Sequence, residues 1–226
     1  RVYPGVEHGS LTQHMAHVYL PEVLSRAQYM ITMHRAGLQH MGYGTDGMVI
    51  FEYEGDGDEV GKKSREMAKA FGCAILSKNS HPGLGTTSAA QARARGIPVI
   101  CPEIGGTDRL PDSLDANVMH HVNGVLNVMR HLGMLSGPAT SRGKWIEFSG
   151  DAHIRIKRDG FVLVEPGIQL GSMLKKGQKV VSVRDVFGRE VDSVISPWDG
   201  VLTLIRTYSF AHGGDFAIEV GENARW

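Results

Sequence analysis

The feature that most constrains the fold of this chain is a change of sequence character at residues 138–143, a short segment rich in Gly, Pro, Ser and Thr. Before this segment, stretches with apolar residues at helical spacing alternate with short apolar runs. After it, short alternating runs are separated by glycine turns about every ten residues, a spacing typical of a small all-β unit. We therefore predict an α/β domain over residues 1–137 and a β-domain over residues 143–226.

The first domain is predicted to contain a mostly parallel sheet with helices on both faces, because helix and strand signals alternate along it. Gly72, Gly96 and Gly133 follow three of the predicted helices and are good stop signals. The helices are predicted near residues 11–24 and at 58–71, 86–95 and 117–132, and the strands at 27–33, 73–76 and 97–101.

The β-domain is predicted to be a small barrel-sandwich-like unit. Its strands are predicted at residues 145–148, 153–156, 161–164, 179–184, 191–195, 200–205 and 216–220. Biotinyl and lipoyl carrier domains have a similar pattern of short strands and glycine turns, but their chemistry needs a lysine at the tip of the central hairpin. The matching turn, at residues 186–189, contains no lysine, so the sequence argues against a swinging-arm carrier.

Composition excludes several classes of function. Lys plus Arg and Asp plus Glu number 24 each, which argues against a protein that coats nucleic acid or an anionic membrane. No run approaches the roughly 20 apolar residues that span a bilayer. The two cysteines, Cys73 and Cys101, lie in apolar surroundings and are predicted to be reduced core thiols, which fits a cytoplasmic protein.

Two polar residues follow predicted strands, at the position where open α/β sheets bind ligands. His34 ends the run YMITM, and Glu103 follows the run PVICP. Imidazole is a common zinc ligand, and a carboxylate beside a bound metal can pass a proton from the metal's water to a leaving amine. From spacing alone, a structural histidine and a solvated or capping glutamate are the commoner outcomes, so the residues leave both interpretations open.

Several segments resemble the succinylglutamate desuccinylase/aspartoacylase family. YMITMH at residues 29–34 is similar to the strand that delivers that family's third zinc ligand, and GIPVICPEIGG at residues 96–106 resembles its GIPV…E.GG signature. RVYPG at residues 1–5 resembles the family's NRVFPG segment, and GVLNVMRHLG at residues 124–133 matches a typical helix. The resemblance runs in order along essentially the whole chain and implies a zinc-carboxypeptidase-like fold.

This resemblance implies a zinc-dependent hydrolase that removes an acyl group from a small N-acyl amino acid. His34 would be a zinc ligand, Glu103 the general base or acid, and Arg1 would bind a substrate carboxylate through its planar fork. Arg35 could be a further carboxylate binder, or it could oppose the nearby cation. The β-domain would cover one side of the active site, and proteins of this class often form homodimers.

Two departures from the family pattern bear on activity. Thr32 stands where the family usually has an acidic residue, two places before the zinc ligand. The family's first two zinc ligands come from a His-x-x-Glu motif before the segment that begins with Arg1, and none of the 11 histidines here is followed by Glu at that spacing. An active enzyme then needs those ligands from a preceding segment. The alternatives are a non-catalytic binding homologue that has lost the metal site, or a carboxypeptidase.

Overall fold

Four α-helices and fourteen strands make up the described part of the chain in the computed structural model. It describes residues 2–35, 41–42, 47–52, 58–79, 85–106, 111–140 and 143–226. The helices are α1 Leu11–Glu22, α2 Glu59–Phe71, α3 Ser88–Ala94 and α4 Pro111–His131, with a 3₁₀ turn at Leu24–Arg26. The strands are β1 Met30–Ile31, β2 Met41–Gly42, β3 Met48–Glu52, β4 Ile75–Asn79, β5 Val99–Glu103, β6 Ile146–Ser149, β7 Asp151–Arg155, β8 Gly160–Val164, β9 Met173–Leu174, β10 Lys179–Arg184, β11 Glu190–Ile195, β12 Gly200–Arg206, β13 Phe210–Ala211 and β14 Phe216–Glu222. Within these ranges, no helix has the length and apolar character needed to cross a membrane.

Local signals explain where α2 and α3 begin and end. Asp58 caps α2 by accepting hydrogen bonds from the backbone N–H groups of Val60 and Gly61. Gly72 ends that helix in the left-handed conformation, with φ of 95°, which glycine adopts without steric cost. Thr87 caps α3 in the same way as Asp58 caps α2. Both helices therefore lie close to their predicted positions.

The first sheet has the strand order β1-β5-β3-β4-β6 and is mostly parallel. Three neighbouring pairs are parallel, and β3 and β5 run antiparallel. Helices cover both faces, as successive residues of β5 show: Val99 packs in a core cluster with Leu20 and Ala92, whereas Ile100 packs in one with Met67 and Phe71. The predicted α/β class with a mostly parallel sheet is confirmed.

Strand β1 is shorter and less buried than predicted. Only Met30–Ile31 forms a regular strand, and it is half-buried, whereas a buried strand was expected over residues 27–33. The pairing continues beyond it, because the N–H groups of Thr32 and His34 donate to the carbonyls of Ile100 and Pro102. Among the described strands, β1 is at the edge of the sheet and has a neighbour, β5, on one side only. An apolar run by itself does not distinguish an edge strand from a central one.

Two antiparallel sheets share a core in the C-terminal part of the chain, and one of them also takes in β2, at residues 41–42 of the first part. One has the order β11-β10-β8-β13, and the other has the order β2-β12-β14-β7, with β9 paired to β12. Val180, Val181, Val183, Leu202 and Ile218 are fully buried in the core between them. Strands β7, β8, β10, β11, β12 and β14 lie at nearly their predicted positions, whereas β9 and β13, of two residues each, were not predicted. Consecutive residues of β10, β12 and β14 are buried, so these strands are covered on both faces.

Strand β6 links the two parts of the molecule. It follows residues 138–143, yet it pairs in parallel with β4 in the first sheet. Phe148 of β6 packs in one cluster with Ile75 of β4 and Val201 of β12. Gly221 of β14 lies against the Phe148 ring, where a Cβ would be 2.4 Å from a ring carbon. The sequence character therefore changes before β6, whereas the strands pass from the first sheet to the C-terminal sheets after β6.

Candidate metal centre

Backbone hydrogen bonds hold His34 beside Glu103. The His34 N–H donates to the carbonyl of Pro102 at 2.9 Å, and the His34 carbonyl accepts from the N–H of Ile104 at 3.2 Å. These bonds form a parallel bridge between His34 and Glu103 that extends the pairing of β1 with β5. The two side chains therefore emerge together at the carboxyl ends of neighbouring parallel strands.

The imidazole of His34 lies between a carboxylate and a hydroxyl. Its Nδ1 is 3.7 Å from Oε1 of Glu103, and its Nε2 is 3.2 Å from Oγ1 of Thr32. A partner on one ring nitrogen orients the other toward a ligand, which is how second-shell groups support metal-binding histidines. The His34 side chain is 52% exposed, so the ring is accessible. Thr32, which stands in place of the expected acidic residue, therefore contacts the predicted zinc ligand directly.

Glu103 is a mostly buried carboxyl group with an unsatisfied oxygen. Its side chain is 13% exposed, and among the described residues none donates a hydrogen bond to Oε2. Burial raises the pKa of Glu103 to about 7, and repulsion from the carboxylate of Glu219, on β14, adds to the rise. A carboxyl group with such a pKa, at a strand end, is typical of an acid–base site.

Cys101 is a third donor at this centre. It lies two residues before Glu103 on β5, and its Sγ is 4.0 Å from Oε1 of Glu103. Donor atoms of His34, Cys101 and Glu103 all lie within 4.8 Å of one another. Neither Cys101 nor Cys73 is in a disulfide. The expectation that both are core thiols is wrong for Cys101, which is half-buried on the face that carries Glu103, whereas Cys73 is only 2% exposed.

Helix α4 supports the centre from the side of the first domain. Burial and the neighbouring His120 lower the pKa of His121 and favour its neutral form, and a smaller effect of the His34 backbone opposes them. Asn117 is buried against Gly105, where a Cβ would be 2.4 Å from Nδ2 of Asn117. Gly105 also has φ of +74°, so glycine at this position allows α4 to approach the segment after Glu103.

Of the two arginines predicted to bind a substrate carboxylate, the structure describes one, Arg35. Arg35 follows His34 directly and is exposed at the same edge of the sheet. Arg1 lies outside the described residues, so its role stays a prediction.

A second group of residue types that bind metals lies on β7 and β14, and it consists of Asp151, His153 and Glu219. Here His153 Nε2 and Glu219 Oε2 are 2.6 Å apart, and the Thr203 hydroxyl donates to Oε1 of Glu219 at 2.7 Å. The hydrogen bond to Glu219 raises the pKa of His153. Because His153 and Glu219 satisfy each other, this group fits an ion pair between strands better than a metal site.

Comparison with solved structures identifies the fold. The chain matches the ectoine utilization protein EutE (DoeB) from Ruegeria pomeroyi with a TM-score of 0.81 at 18% identity. It matches a succinylglutamate desuccinylase from Silicibacter sp. TM1040 with a TM-score of 0.81 at 19% identity. A succinylglutamate desuccinylase/aspartoacylase from Rhodobacter sphaeroides matches with a TM-score of 0.77 at 22% identity. Each match covers 98% of this chain. The chain has the fold of the succinylglutamate desuccinylase/aspartoacylase family.

The likeness to this family covers part of each relative. The chain spans 68% of the EutE chain, 67% of the Silicibacter protein and 66% of the Rhodobacter protein. No protein-family model matches the chain, and a search of curated proteins found no match. At these identities the likeness to the desuccinylase/aspartoacylase structures shows the fold alone.

The residues at the centre fit the zinc ion that the family resemblance implies. Imidazole nitrogen, thiolate sulfur and carboxylate oxygen are the donors that zinc prefers, and His34, Cys101 and Glu103 offer one of each. The buried Oε2 of Glu103, which no described residue satisfies, is an atom that a bound ion or its ligands would compensate.

Three residues near the centre, Thr32, Cys101 and His121, were not predicted to belong to it. The two-residue period of β5 was a usable signal for Cys101, because it places the thiol on the same face as Glu103. The contact of Thr32 with His34 follows the same rule on the neighbouring segment. For His121, no local pattern in the sequence places α4 near His34.

Proposed function

We propose that this chain belongs to a zinc-dependent hydrolase that removes the acyl group from a small N-acyl amino acid. One observation carries the proposal. An accessible imidazole lies beside a mostly buried carboxyl group at the end of the sheet, with Nδ1 of His34 3.7 Å from Oε1 of Glu103. The fold supports it, because a succinylglutamate desuccinylase is among the solved structures that share this fold.

Glu103 is the proposed proton carrier. A pKa of about 7 lets its carboxyl group accept and donate a proton near neutral pH, the condition in which general acid–base catalysis works best. The oxygen that faces His34, Oε1, would receive a proton from the attacking water. The carboxyl group would then deliver that proton to the nitrogen of the leaving amine.

His34 is proposed to bind the metal through Nδ1, the nitrogen that faces Glu103, while Thr32 holds Nε2. When bound, zinc would polarise the acyl carbonyl and lower the pKa of a coordinated water to about 7. The half-exposed ring leaves room for further ligands, including the two that the family pattern places before Arg1.

Arg35 and Arg1 are proposed to bind the carboxylate of the substrate. A guanidinium group can hold a carboxylate through two parallel hydrogen bonds. Arg35 directly follows His34, so its positive charge lies at the edge of the sheet where the acyl bond would be cut. Such an arrangement would select acylated amino acids over uncharged amides.

The test is hydrolysis of a panel of N-acyl amino acids by the zinc-loaded protein and its Glu103→Gln variant. We expect kcat to fall by about 100- to 10,000-fold, the usual contribution of a general acid or base, while zinc stays bound. Glu66→Gln makes the same chemical change on the exposed surface of α2 and should keep full activity. Equal turnover by the wild type and the Glu103→Gln variant would refute the proposed role.

Two other outcomes would favour the alternatives. Zinc binding without hydrolysis of any panel member would favour a non-catalytic binding homologue. Release of the C-terminal residue from short peptides, with no hydrolysis of the acylated amino acids, would favour a carboxypeptidase.

A further inference from the structure

We propose that a cavity at the edge of the first sheet away from the metal centre binds a small molecule that carries one carboxylate group. The cavity has a volume of about 230 Å³. Sites for drug-sized ligands measure roughly 300–1,000 Å³, so this cavity suits a smaller molecule. It is lined by Lys78, Glu147, Phe148, Ser149, Asn223 and Arg225. None of these residues belongs to the metal centre, so the inference is independent of the proposed function.

The directions of the strands place the cavity away from His34 and Glu103. Lys78 and Ser149 are register partners near the carboxyl ends of β4 and β6, which are parallel to each other. Strand β5, which carries Glu103, runs antiparallel to β3, and β3 is parallel to β4. The carboxyl ends of β4 and β6 therefore lie at the opposite edge of the sheet from the metal centre. Open α/β sheets commonly bind ligands at the carboxyl ends of their strands.

The segment after β14 closes a second side of the cavity. The N–H of Glu147 donates to the carbonyl of Arg225 at 2.8 Å, and the N–H of Arg225 donates to the carbonyl of Glu147 at 2.9 Å. Nδ2 of Asn223 donates to the carbonyl of Ser149 at 3.4 Å. Asn223 has φ of 54°, in the left-handed region that asparagine adopts more readily than most residues. These bonds hold the segment in place before a ligand binds, which lowers the entropic cost of binding.

The charged side chains of the lining favour a ligand with a single negative charge. Lys78 and Arg225 are cationic, and Glu147 is anionic. Glu147 is 8% exposed, and Arg65 of α2 donates to its Oε2 at 2.5 and 3.1 Å, so this carboxylate is already compensated. Arg225 is farther from Glu147, with 3.7 Å between Nη2 and Oε1, and its side chain is 75% exposed. The Arg225 guanidinium can therefore turn to a ligand and hold a carboxylate through two parallel hydrogen bonds.

Phe148 gives the cavity an apolar wall. Its side chain is 2% exposed and packs with Ile75 and Val201. A carboxylate with a short apolar stem can place the stem against this wall and the charge beside Arg225. Inorganic phosphate has no apolar part, and its higher charge would be repelled more strongly by the Glu147 carboxylate. These features favour a small organic carboxylate over phosphate.

The experiment is titration of the isotope-labelled 226-residue chain with sodium propionate, followed by two-dimensional NMR. Sodium chloride at the same ionic strength is the reference, because salt screens surface charges without occupying the cavity. The signals to follow are the backbone amide of Ser149 and the side-chain amide of Asn223. We expect both to shift saturably, with a Kd of about 1–10 mM.

Arg225→Gln removes the guanidinium and keeps the backbone bonds to Glu147. We expect it to raise the Kd by about 3- to 10-fold, since the lost charge-assisted hydrogen bonds are partly exposed. Arg26→Gln is a matched control, because the Arg26 side chain is 72% exposed and also pairs with a glutamate, Glu22, at 3.0 Å. This control should leave the Kd unchanged.

Three results would overturn the inference. The first is a response to propionate that matches the response to chloride. The second is an equal Kd for the wild type and Arg225→Gln. The third is inorganic phosphate binding at the same signals at least as tightly as propionate, which would reject the carboxylate class. Failure of the proposed function is seen separately, as unchanged hydrolysis by the Glu103→Gln variant, and would leave this cavity site in place.

Discussion

Removal of the Thr32 hydroxyl should weaken metal binding at His34 without removing a ligand. In the structure, Oγ1 of Thr32 lies 3.2 Å from Nε2 of His34, and Nδ1 faces the carboxylate of Glu103. The Thr32→Ala variant leaves Nε2 to water and frees the ring to rotate away from Glu103.

The size of the effect follows from the exposure of the pair. A net hydrogen bond contributes about 0.5–1.5 kcal/mol, which corresponds to about a 2- to 12-fold change in affinity. Outer-shell partners of metal ligands are typically worth about 10- to 100-fold. Because the His34 side chain is 52% exposed, water can replace the hydroxyl, and we expect Thr32→Ala to weaken zinc binding by about 2- to 10-fold. Thr32→Asp, which restores the acidic residue of the family pattern, should tighten binding, since hydrogen bonds to charged groups are stronger.

The assay is competition for zinc between the chain and a chelating dye, with Thr32→Ser as the control that keeps the hydroxyl. Urea unfolding of each variant shows whether the fold is intact. Equal zinc affinity for the wild type and the alanine variant, or an equal loss in the serine variant, would contradict an orienting role for this hydroxyl.

Two further predictions concern stability. Gly221→Ala places a Cβ 2.4 Å from the Phe148 ring, so it should lower the free energy of unfolding by about 1–3 kcal/mol, measured in urea. Adding Phe148→Leu to this variant should recover part of the loss. An unchanged urea midpoint in Gly221→Ala would argue against this close contact. The hydrogen bond to Glu219 raises the pKa of His153 above its usual 6.5, so this pair stabilises the fold fully below about pH 6.5 and loses its effect as the pH rises through the raised value. The urea midpoint of the wild type should exceed that of His153→Gln most at low pH, and a difference independent of pH would contradict the assignment.

Local signals in the sequence were sufficient for much of the secondary structure. Asp58 marks the start of α2 and Gly72 its end, and the N-cap Thr87 marks the start of α3. Each could be predicted because caps and glycine stops act within one helical turn. The longer strands of the C-terminal unit follow from short apolar runs between glycine turns, because each run supplies residues to a shared core.

The arrangement of the strands was less predictable. The central strand β3, Met48–Glu52, is an apolar run between glycine-rich stretches and was not assigned. It pairs antiparallel with β5, and β6 pairs in the first sheet although it follows residues 138–143. Short apolar runs do not specify their neighbours, because strand pairing joins residues that are far apart in the chain.

The sequence by itself determined the ends of α2, the two kinds of sheet, and the positions of His34 and Glu103 at strand ends, because each depends on a few neighbouring residues. It missed the start of α4, which was predicted at residue 117 and lies at Pro111. Only the tertiary structure decided that these two side chains lie 3.7 Å apart, with Cys101 beside them. The physical reason is register: a shift of one residue between the two strands would turn either side chain to the opposite face, and that register is set by packing across the whole sheet.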